Sequence, residues 1–304
     1  MKLGNSELEV PRIAIGCMRI KDKSVDEISH LIQYSVDRGY NFFDHADIYG
    51  QGKCESLFGK AFKNTGLKRE DVIIQSKCGI VPGKMYDFSK EHILESVEGS
   101  LSRLETDYLD ILVLHRPDAL MVAREVAETL NELYESGKVH YFGVSNFKPS
   151  QIERLKKYMK QPILVNQLQL SITEANMIAS GLEVNMNSTG SFDHDDSVLD
   201  YCMLNDITVQ AWSPFQFGFF EGNFIGNREK FAKLNSTLDE LAEKYHVSPY
   251  GIATAWLLRH PANIQMVSGS TNVEHLQLIF DAENVNLTRE EWYRLYLDAG
   301  HILP

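Results

Sequence analysis

A chain of 304 residues has room for two average domains or for one large α/β barrel, a fold of roughly 250 residues before extensions. Its composition, 43% apolar and 24% charged, is that of a folded globular protein, and its net charge of -12 argues against a general binder of nucleic acid or anionic membrane, which must meet phosphate with a basic surface. The four cysteines, Cys17, Cys54, Cys78 and Cys202, are scattered without a C-x-x-C pair, so neither a zinc ribbon nor a disulfide framework is expected and a reducing cytoplasm suits them.

The chain opens on MKLGNSELEV, which reads as two short strands about Gly4 and Asn5, a hairpin able to plug the bottom of a barrel. It holds no unbroken apolar leader, and nowhere is there the run of about 18 apolar residues that a membrane span needs; a cytosolic protein is expected. Eight short apolar runs rich in β-formers follow: RIAIGC from Arg12, YNFFD from Tyr40, VIIQSKC from Val72, LDILVLHR from Leu109, VHYFGVSN from Val139, ILVNQLQ from Ile163, ITVQAWSP from Ile207 and IQMVSGS from Ile264. Between them, SVDEISHLIQYSVDRG, SKEHILESVEGSLSRLE, MVAREVAETLNELYESG and PSQIERLKKYMK carry apolar residues at threes and fours, the helical spacing.

Strands buried on both faces read as continuous apolar runs, and helices between them give crossovers to parallel neighbours. The alternation predicts an α/β fold, a (β/α)8 TIM barrel forming one domain over residues 1–304, rather than an open doubly wound sheet. No G-x-G-x-x-G follows any of the runs. The polar stretch SGLEVNMNSTGSFDHDDSVLD is expected to be an extended loop. In TREEWYRLYLDAG, Thr288 stands three residues before Glu291, a capping-box spacing that predicts an extra C-terminal helix.

In such a barrel the chemistry sits at the C-terminal ends of the strands. The polar residues there are Asp44 with Tyr49 a few positions on, Lys77, His115, Ser145 with Asn146, Asn166 with Gln167, and Trp212 with Ser213. Singly, each has an ordinary structural role as a cap, a solvated terminus or a rim residue. Barrel closure, however, brings them around one mouth. A phenol of pKa about 10 is a poor proton donor at neutral pH unless a nearby cation lowers it; Lys77 would be that cation, Asp44 would hold it, and a His115 nitrogen could share the proton or orient a carbonyl. A metal-dependent hydrolase built on Asp44, His45, Asp47 and His115 is the weaker reading, because Lys77 in their midst would repel a cation.

The motifs FDHADIYG, SKCG, LVLHRPD, GVSNF, VNQLQ, QAWSP and VSGSTNVEHL stand in the order and at the strand ends found in aldo-keto reductases, and this resemblance spans almost the whole chain. The closing EEWYRLYLDAGHILP is further similar to a bacterial branch of that family whose substrates are largely unassigned. The resemblance implies a catalytic tetrad of Asp44, Tyr49, Lys77 and His115 that reduces a carbonyl with NADPH, Tyr49 donating the proton, and that uses Tyr49 as base in reverse. It implies that Trp212 stacks on the nicotinamide and that Ser145, Asn146 and Gln167 bind its carboxamide. Gly16, Cys17 and Met18, with Asp44, would lie by the ribose, and Ser213, Pro214, Phe215, Gln216 and Gly218 would wrap the pyrophosphate.

Ser268, Gly269, Ser270 and Thr271 match the stretch that clamps the ribose phosphate, with His275 where arginine or glutamine is usual. That stretch has no lysine or arginine, which leaves NADH use open beside the favoured NADPH. No metal is implied. Met18, Tyr49, Tyr86, His115, Pro117 and Trp212 would line the substrate mouth, an apolar and aromatic surround suited to small aldehydes and ketones. A cofactor-binding regulatory or redox-sensing subunit is the alternative function, since family members occur in that role. The resemblance implies a monomer, and no sequence feature speaks against a dimer.

Overall fold

A computed structural model describes residues 1–283 and 285–304. Its centre is a closed barrel of parallel strands: β1 (Ile13–Gly16), β2 (Phe42–Asp44), β3 (Ile73–Cys78), β4 (Leu109–Leu114), β5 (Val139–Ser145), β6 (Ile163–Gln169), β7 (Thr208–Trp212) and β8 (Gln265–Ser268). Each pairs with the next in chain order, and β8 closes on β1 with Met266 beside Ile13. All eight lie within the apolar runs that predicted them, and helices cover the outside.

Side chains along a strand alternate between the two faces, and here the alternation divides the core. Ile13, Ile15, Phe43, Ile74, Leu112 and Leu114 point outward into a large cluster shared with the helices. Ala14, Phe42, Ile73, Ile111, Val113, Val165 and Val267 point inward and form a separate apolar floor. The next inward positions in each strand, two residues further on, are therefore Asp44, Gln75, His115 and Gln167. Gly143 in β5 has to lack a side chain, since a Cβ there would lie 2.2 Å from Val165 Cγ2; β5 shifts register against β6 at the same point.

The N-terminal segment folds back as expected, although as a single antiparallel bridge between Lys2 and Glu9 rather than two strands. Leu3 and Val10 are buried in the barrel floor, and the Gly4 amide donates to Thr208 Oγ1 at 2.8 Å. The stretch expected to be an extended loop is partly helical: it includes the end of helix Asn176–Leu182, a 3-10 turn at Thr189–Ser191 and the start of helix Val198–Leu204. Its polar side chains bind its own backbone, Asp193 accepting from the Asp195 and Ser197 amides, which stabilises local turns without an apolar core.

The predicted C-terminal helix spans Arg289–Asp298 with the Thr288/Glu291 capping box in place. It docks through Trp292, whose ring stacks on Trp256 at 4.7 Å while each indole N–H donates to the other residue's carbonyl, at 3.1 and 3.0 Å. No helix among the described residues is long and apolar enough to cross a membrane.

Gly4 has φ of +54° and a Cβ placed on it would meet the Leu164 carbonyl oxygen at 2.7 Å. Gly4→Val is accordingly expected to destabilise the protein by about 1–3 kcal/mol, read as a fall in the thermal unfolding midpoint; an unchanged midpoint would show that the plug contributes nothing.

Candidate active site

Lys77, at the inward-facing top of β3, is wholly buried, and its ammonium uses all three of its donors. Nζ donates to the Asp44 carboxylate at 2.7 Å, to the His45 carbonyl oxygen at 2.8 Å and to the Tyr49 hydroxyl at 3.1 Å. The His45 carbonyl is available because β2 stops at Asp44. Tyr49 follows in a tight turn through Gly50 and Gln51, both at positive φ, and its ring meets His115 edge-on with centroids 5.9 Å apart. Asp44, Tyr49, Lys77 and His115, from three separate sequence motifs, thus share one contact cluster.

Directly beneath lies a layer of amides. Asp44 Oδ1 accepts from Gln75 Nε2 at 2.6 Å and from Gln167 Nε2 at 3.2 Å. Gln210 Oε1 accepts from the same two groups at 2.9 and 3.1 Å, and Gln210 Nε2 donates to Gln75 Oε1 at 3.1 Å and Gln265 Oε1 at 2.8 Å. Gln265 Nε2 ends the chain on the Pro11 carbonyl at 2.7 Å. Gln75, Gln210 and Gln265 are completely buried, and sequence reasoning missed them. The available signal was their position: Gln75 and Gln210 stand two residues before Lys77 and Trp212, on the same strand face.

Burial opposes charge on both Lys77 and Tyr49, with different outcomes. It would lower the Lys77 pKa, but the Asp44 carboxylate and the Tyr49 phenol outweigh it and the ammonium is strengthened. For Tyr49 burial raises the pKa and, with Asp44 adding to it, prevails over the lowering by Lys77. The expectation that Lys77 brings the phenol below its usual range is corrected here: Lys77 pulls in that direction, and desolvation outweighs it. His115 is held neutral, its pKa pushed well below the usual histidine range by burial, then by Lys77 and Arg116. Its Nδ1 is enclosed without a partner, which leaves Nε2 to act toward the cavity.

His45 and Asp47 lie beside this cluster, the His45 carbonyl accepting from Lys77 Nζ and the Asp47 amide donating to the Lys77 carbonyl. His45 is fully buried, its ring edge-on to Phe58 at 4.5 Å, with a pKa down to about 3 through burial and then Lys77. Asp47 is half-buried and pushed up to about 6 by burial and by nearby Glu55. Among the described residues no group of three or more His, Cys, Asp or Glu side chains is placed to hold a metal ion.

Above the four residues opens a cavity of about 750 Å³. Its wall includes Gly16, Met18, Asp44, Tyr49, Tyr86, His115, Ser145, Asn146, Gln167, Trp212, Ser213, Pro214, Phe215, Gln216, Gly269, Ser270 and His275, which the sequence had nominated. Cys17, Pro117, Gly218, Ser268 and Thr271 are not part of the wall. Cys17 is buried behind it, its amide bonded to the Asp44 carbonyl. Gly218 already has both backbone groups engaged, its amide by Glu174 at 2.5 Å and its carbonyl by Gln169 at 2.7 Å. Ser268 ends β8 inside the sheet, where its hydroxyl accepts from the Ser270 amide. Lys77 also lies outside the wall, reaching the cavity only through Tyr49.

The wall also contains residues the sequence did not single out: Arg19, Ile48, Val81, Lys84, Met85, Arg116, Phe219, Phe220 and Tyr250 among them. Arg19 is the most consequential for phosphate. Its guanidinium carbon is 3.8 Å from where a side chain on Gly269 would begin, so the β1 loop brings a cation to the stretch that lacks one. Phe219 and Phe220 sit on a hairpin that pairs Gln216–Phe217 with Gly222–Asn223, and Phe220 stacks on Trp212 with centroids 5.8 Å apart.

The donor set fits a nicotinamide dinucleotide. Trp212 Nε1 donates to Asn146 Oδ1 at 3.3 Å, and Asn146 Nδ2 donates to Ser145 Oγ at 2.7 Å, which fixes the indole beside the amide-binding side chains. Asn146 and Ser213 both take positive φ, 59° and 52°, a conformation that ordinary residues avoid and that collects at functional sites.

Comparison with known proteins gives the family. The family model of the Aldo/keto reductase family matches residues 12–296. The uncharacterized oxidoreductase YcsN of Bacillus subtilis is 35% identical, over 98% of this chain and 97% of its own. The 6-dehydroglucose reductase of Agrobacterium fabrum is 33% identical, over 96% of this chain and 95% of its own. Among solved structures, a thermostable aldo-keto reductase crystallised with the inhibitor epalrestat superposes with a TM-score of 0.77 at 28% identity, covering 98% of both chains. The chain belongs to the aldo/keto reductase family. At that level it is an oxidoreductase that interconverts carbonyl and alcohol with NADP(H).

Gln210→Leu would leave the Oε1 atoms of Gln75 and Gln265 without donors inside the barrel, while the Gln75 and Gln167 amide nitrogens keep Asp44. Each unpaired group costs about 1–3 kcal/mol, so urea unfolding should register a loss of at least about 2 kcal/mol. Stability equal to that of the unaltered protein would mean that the amide layer does not hold the site.

Proposed function

We propose that this chain, acting as a cytoplasmic monomer and as one domain over residues 1–304, reduces a small aldehyde or ketone with NADPH, and that Tyr49 gives the proton to the carbonyl oxygen. The observation that carries this reading is the Tyr49 hydroxyl placed 3.1 Å from a wholly buried ammonium. NADPH, when bound, supplies the hydride that the carbonyl carbon accepts.

The chain's own residues do the rest. Tyr49 donates a proton and is left with negative charge, which Lys77 stabilises at close range where little water screens it. Asp44 keeps Lys77 aimed, since an ammonium buried without a carboxylate partner is strongly unfavourable. His115, neutral, can donate one hydrogen bond from Nε2 to the carbonyl oxygen and so turn it toward the phenol. In the reverse direction Tyr49 takes up the proton. With the Gln167 amide nitrogen committed to Asp44 and Gln210, its Oε1 remains to accept from the cofactor's carboxamide, alongside Ser145 and Asn146.

Trp212 would supply the stacking face, and Gly16 and Met18 would border the ribose. Ser213 to Gln216, with Gly269, Ser270, His275 and Arg19, would hold the phosphates. Arg19 supports NADPH over NADH because it restores positive charge beside the ribose-phosphate stretch. Met18, Tyr86, His115 and Trp212 would border the substrate. The four cysteines are free and buried, which suits a reducing compartment. An intact Asp44–Lys77–Tyr49 contact set favours turnover over the alternative of a non-catalytic sensing subunit.

Tyr49→Phe removes the proton donor alone. NADPH-dependent reduction of an aldehyde panel is expected to fall by about a thousandfold, with NADPH affinity by fluorescence titration changed less than about twofold; near-full turnover rejects the assignment. Because burial raises the phenol's pKa, Tyr49 stays protonated through neutral pH. Reduction should therefore hold level from pH 6 to 9 (about three units) and fall only as the phenol ionises, whereas alcohol oxidation should rise over the same range. A reduction rate already falling at neutral pH would contradict this.

A further inference from the structure

Arg116 follows the catalytic-site histidine directly and lines the cavity, yet the reduction described above gives it no task. It is half-buried, and among the described residues no hydrogen bond or ion pair engages its guanidinium. Asp118, two residues on, is turned to the backbone instead, its carboxylate accepting from the Phe88 amide at 3.0 Å and from the Leu120 amide at 2.8 Å. The Arg116 guanidinium carbon instead lies 5.9 Å from the centre of the Trp212 ring, and its charge helps keep His115 neutral. It therefore stands at the end of the cavity where Tyr49, His115 and Trp212 converge.

The charge balance of the wall points the same way. In a chain of net charge -12, the cavity has three cationic side chains, Arg19, Lys84 and Arg116, and Asp44 as its one carboxylate, and that carboxylate is paired with Lys77. Arg19 is beside Gly269 and is accounted for by cofactor phosphate. Lys84 is on the exposed turn between Ile80–Val81 and Met85–Tyr86. A partly buried guanidinium without a counter-ion is held at a desolvation penalty that an anionic ligand would relieve, and its planar fork fits a carboxylate through two parallel hydrogen bonds.

We infer that Arg116 is a specificity-determining residue that binds a carboxylate on the substrate, so that the preferred substrates are aldehydes or ketones bearing a carboxylate group. This rests on the carbonyl-reductase reading. The carboxylate takes no part in the redox step: it anchors the molecule while the carbonyl faces Tyr49 and His115, and Lys84 adds a second positive charge near the entrance. A chain this acidic repels anions at long range, so selection depends on local charge at the mouth.

The test compares 4-carboxybenzaldehyde with methyl 4-formylbenzoate, matched in ring and aldehyde and differing in the charge, under saturating NADPH, for the unaltered protein, R116Q and R116K. The expected result is a kcat/KM ratio of acid to ester of about tenfold or more. In R116Q the ratio should fall toward one, mainly through KM for the acid, with R116K between. Equal kcat/KM for the two in the unaltered protein, or a ratio that R116Q leaves intact, overturns the inference.

A second readout needs no turnover: calorimetric titration of benzoate into the NADP-bound unaltered protein and R116Q should show the unaltered protein binding about tenfold tighter, and equal affinity overturns the inference. Failure of the unaltered protein to reduce any aldehyde strikes the reductase reading instead, and the titration still decides the role of Arg116. Should R116Q fail to fold, R116K carries both comparisons, and an acid-to-ester ratio and a benzoate affinity that are both unchanged in it overturn the inference.

Discussion

A fully buried ammonium is the constraint around which the rest of this molecule is arranged. Removed from water, Lys77 needs a carboxylate and two further acceptors, and the barrel supplies each from a separate source: Asp44 from the neighbouring strand, the His45 carbonyl exposed where that strand stops, and the phenol of Tyr49 from the turn beyond. Asp44 in turn sits on donors from Gln75 and Gln167. The Tyr49 hydroxyl is thus held as the last acceptor the ammonium requires, and the geometry of the site follows from satisfying a buried charge.

The same economy of polar groups shapes the cavity. Neutral His115, Trp212 fixed by Asn146, and a wall with little negative charge make a site in which an oxyanion can be stabilised at close range, while the remainder of the chain is strongly acidic. Positive charge comes to the mouth on separate loops, Arg19 after β1, Lys84 after β3 and Arg116 after β4. Loops carry the variable chemistry of a barrel whose strand ends hold the constant part.

Much of this was legible in the sequence, for a definite reason. Strands buried on both faces leave uninterrupted apolar runs, so each of the eight could be read, and a polar residue closing such a run stands out: Asp44, Lys77, His115 and Trp212 all do. What escaped notice lay inside the runs or between them. Gln75, Gln210 and Gln265 are polar residues inside strands read as apolar runs, and only the two-residue alternation relative to Phe42, Ile73 and Val267 says that they share the barrel interior.

Arg19 and Arg116 looked like ordinary loop cations, because their significance depends on which loops converge. The order of 180–200 depended on side chains satisfying backbone amides locally, which composition does not reveal. The contact of Tyr49 with Lys77 was anticipated, but the direction of its pKa was not, since burial is a property of the closed barrel.

The amide chain beneath Asp44 has a polarity as well as a position. At its lower end Gln265 donates to the carbonyl of Pro11, and at its upper end Gln75 donates to a carboxylate; both ends are acceptors, so none of the amides between can be flipped without setting like against like. Pro11 follows directly on the N-terminal plug. The first eleven residues, remote from the mouth in every other respect, therefore share with Asp44 in setting which way the barrel's interior dipoles face, and so in what the carboxylate beneath Lys77 rests upon.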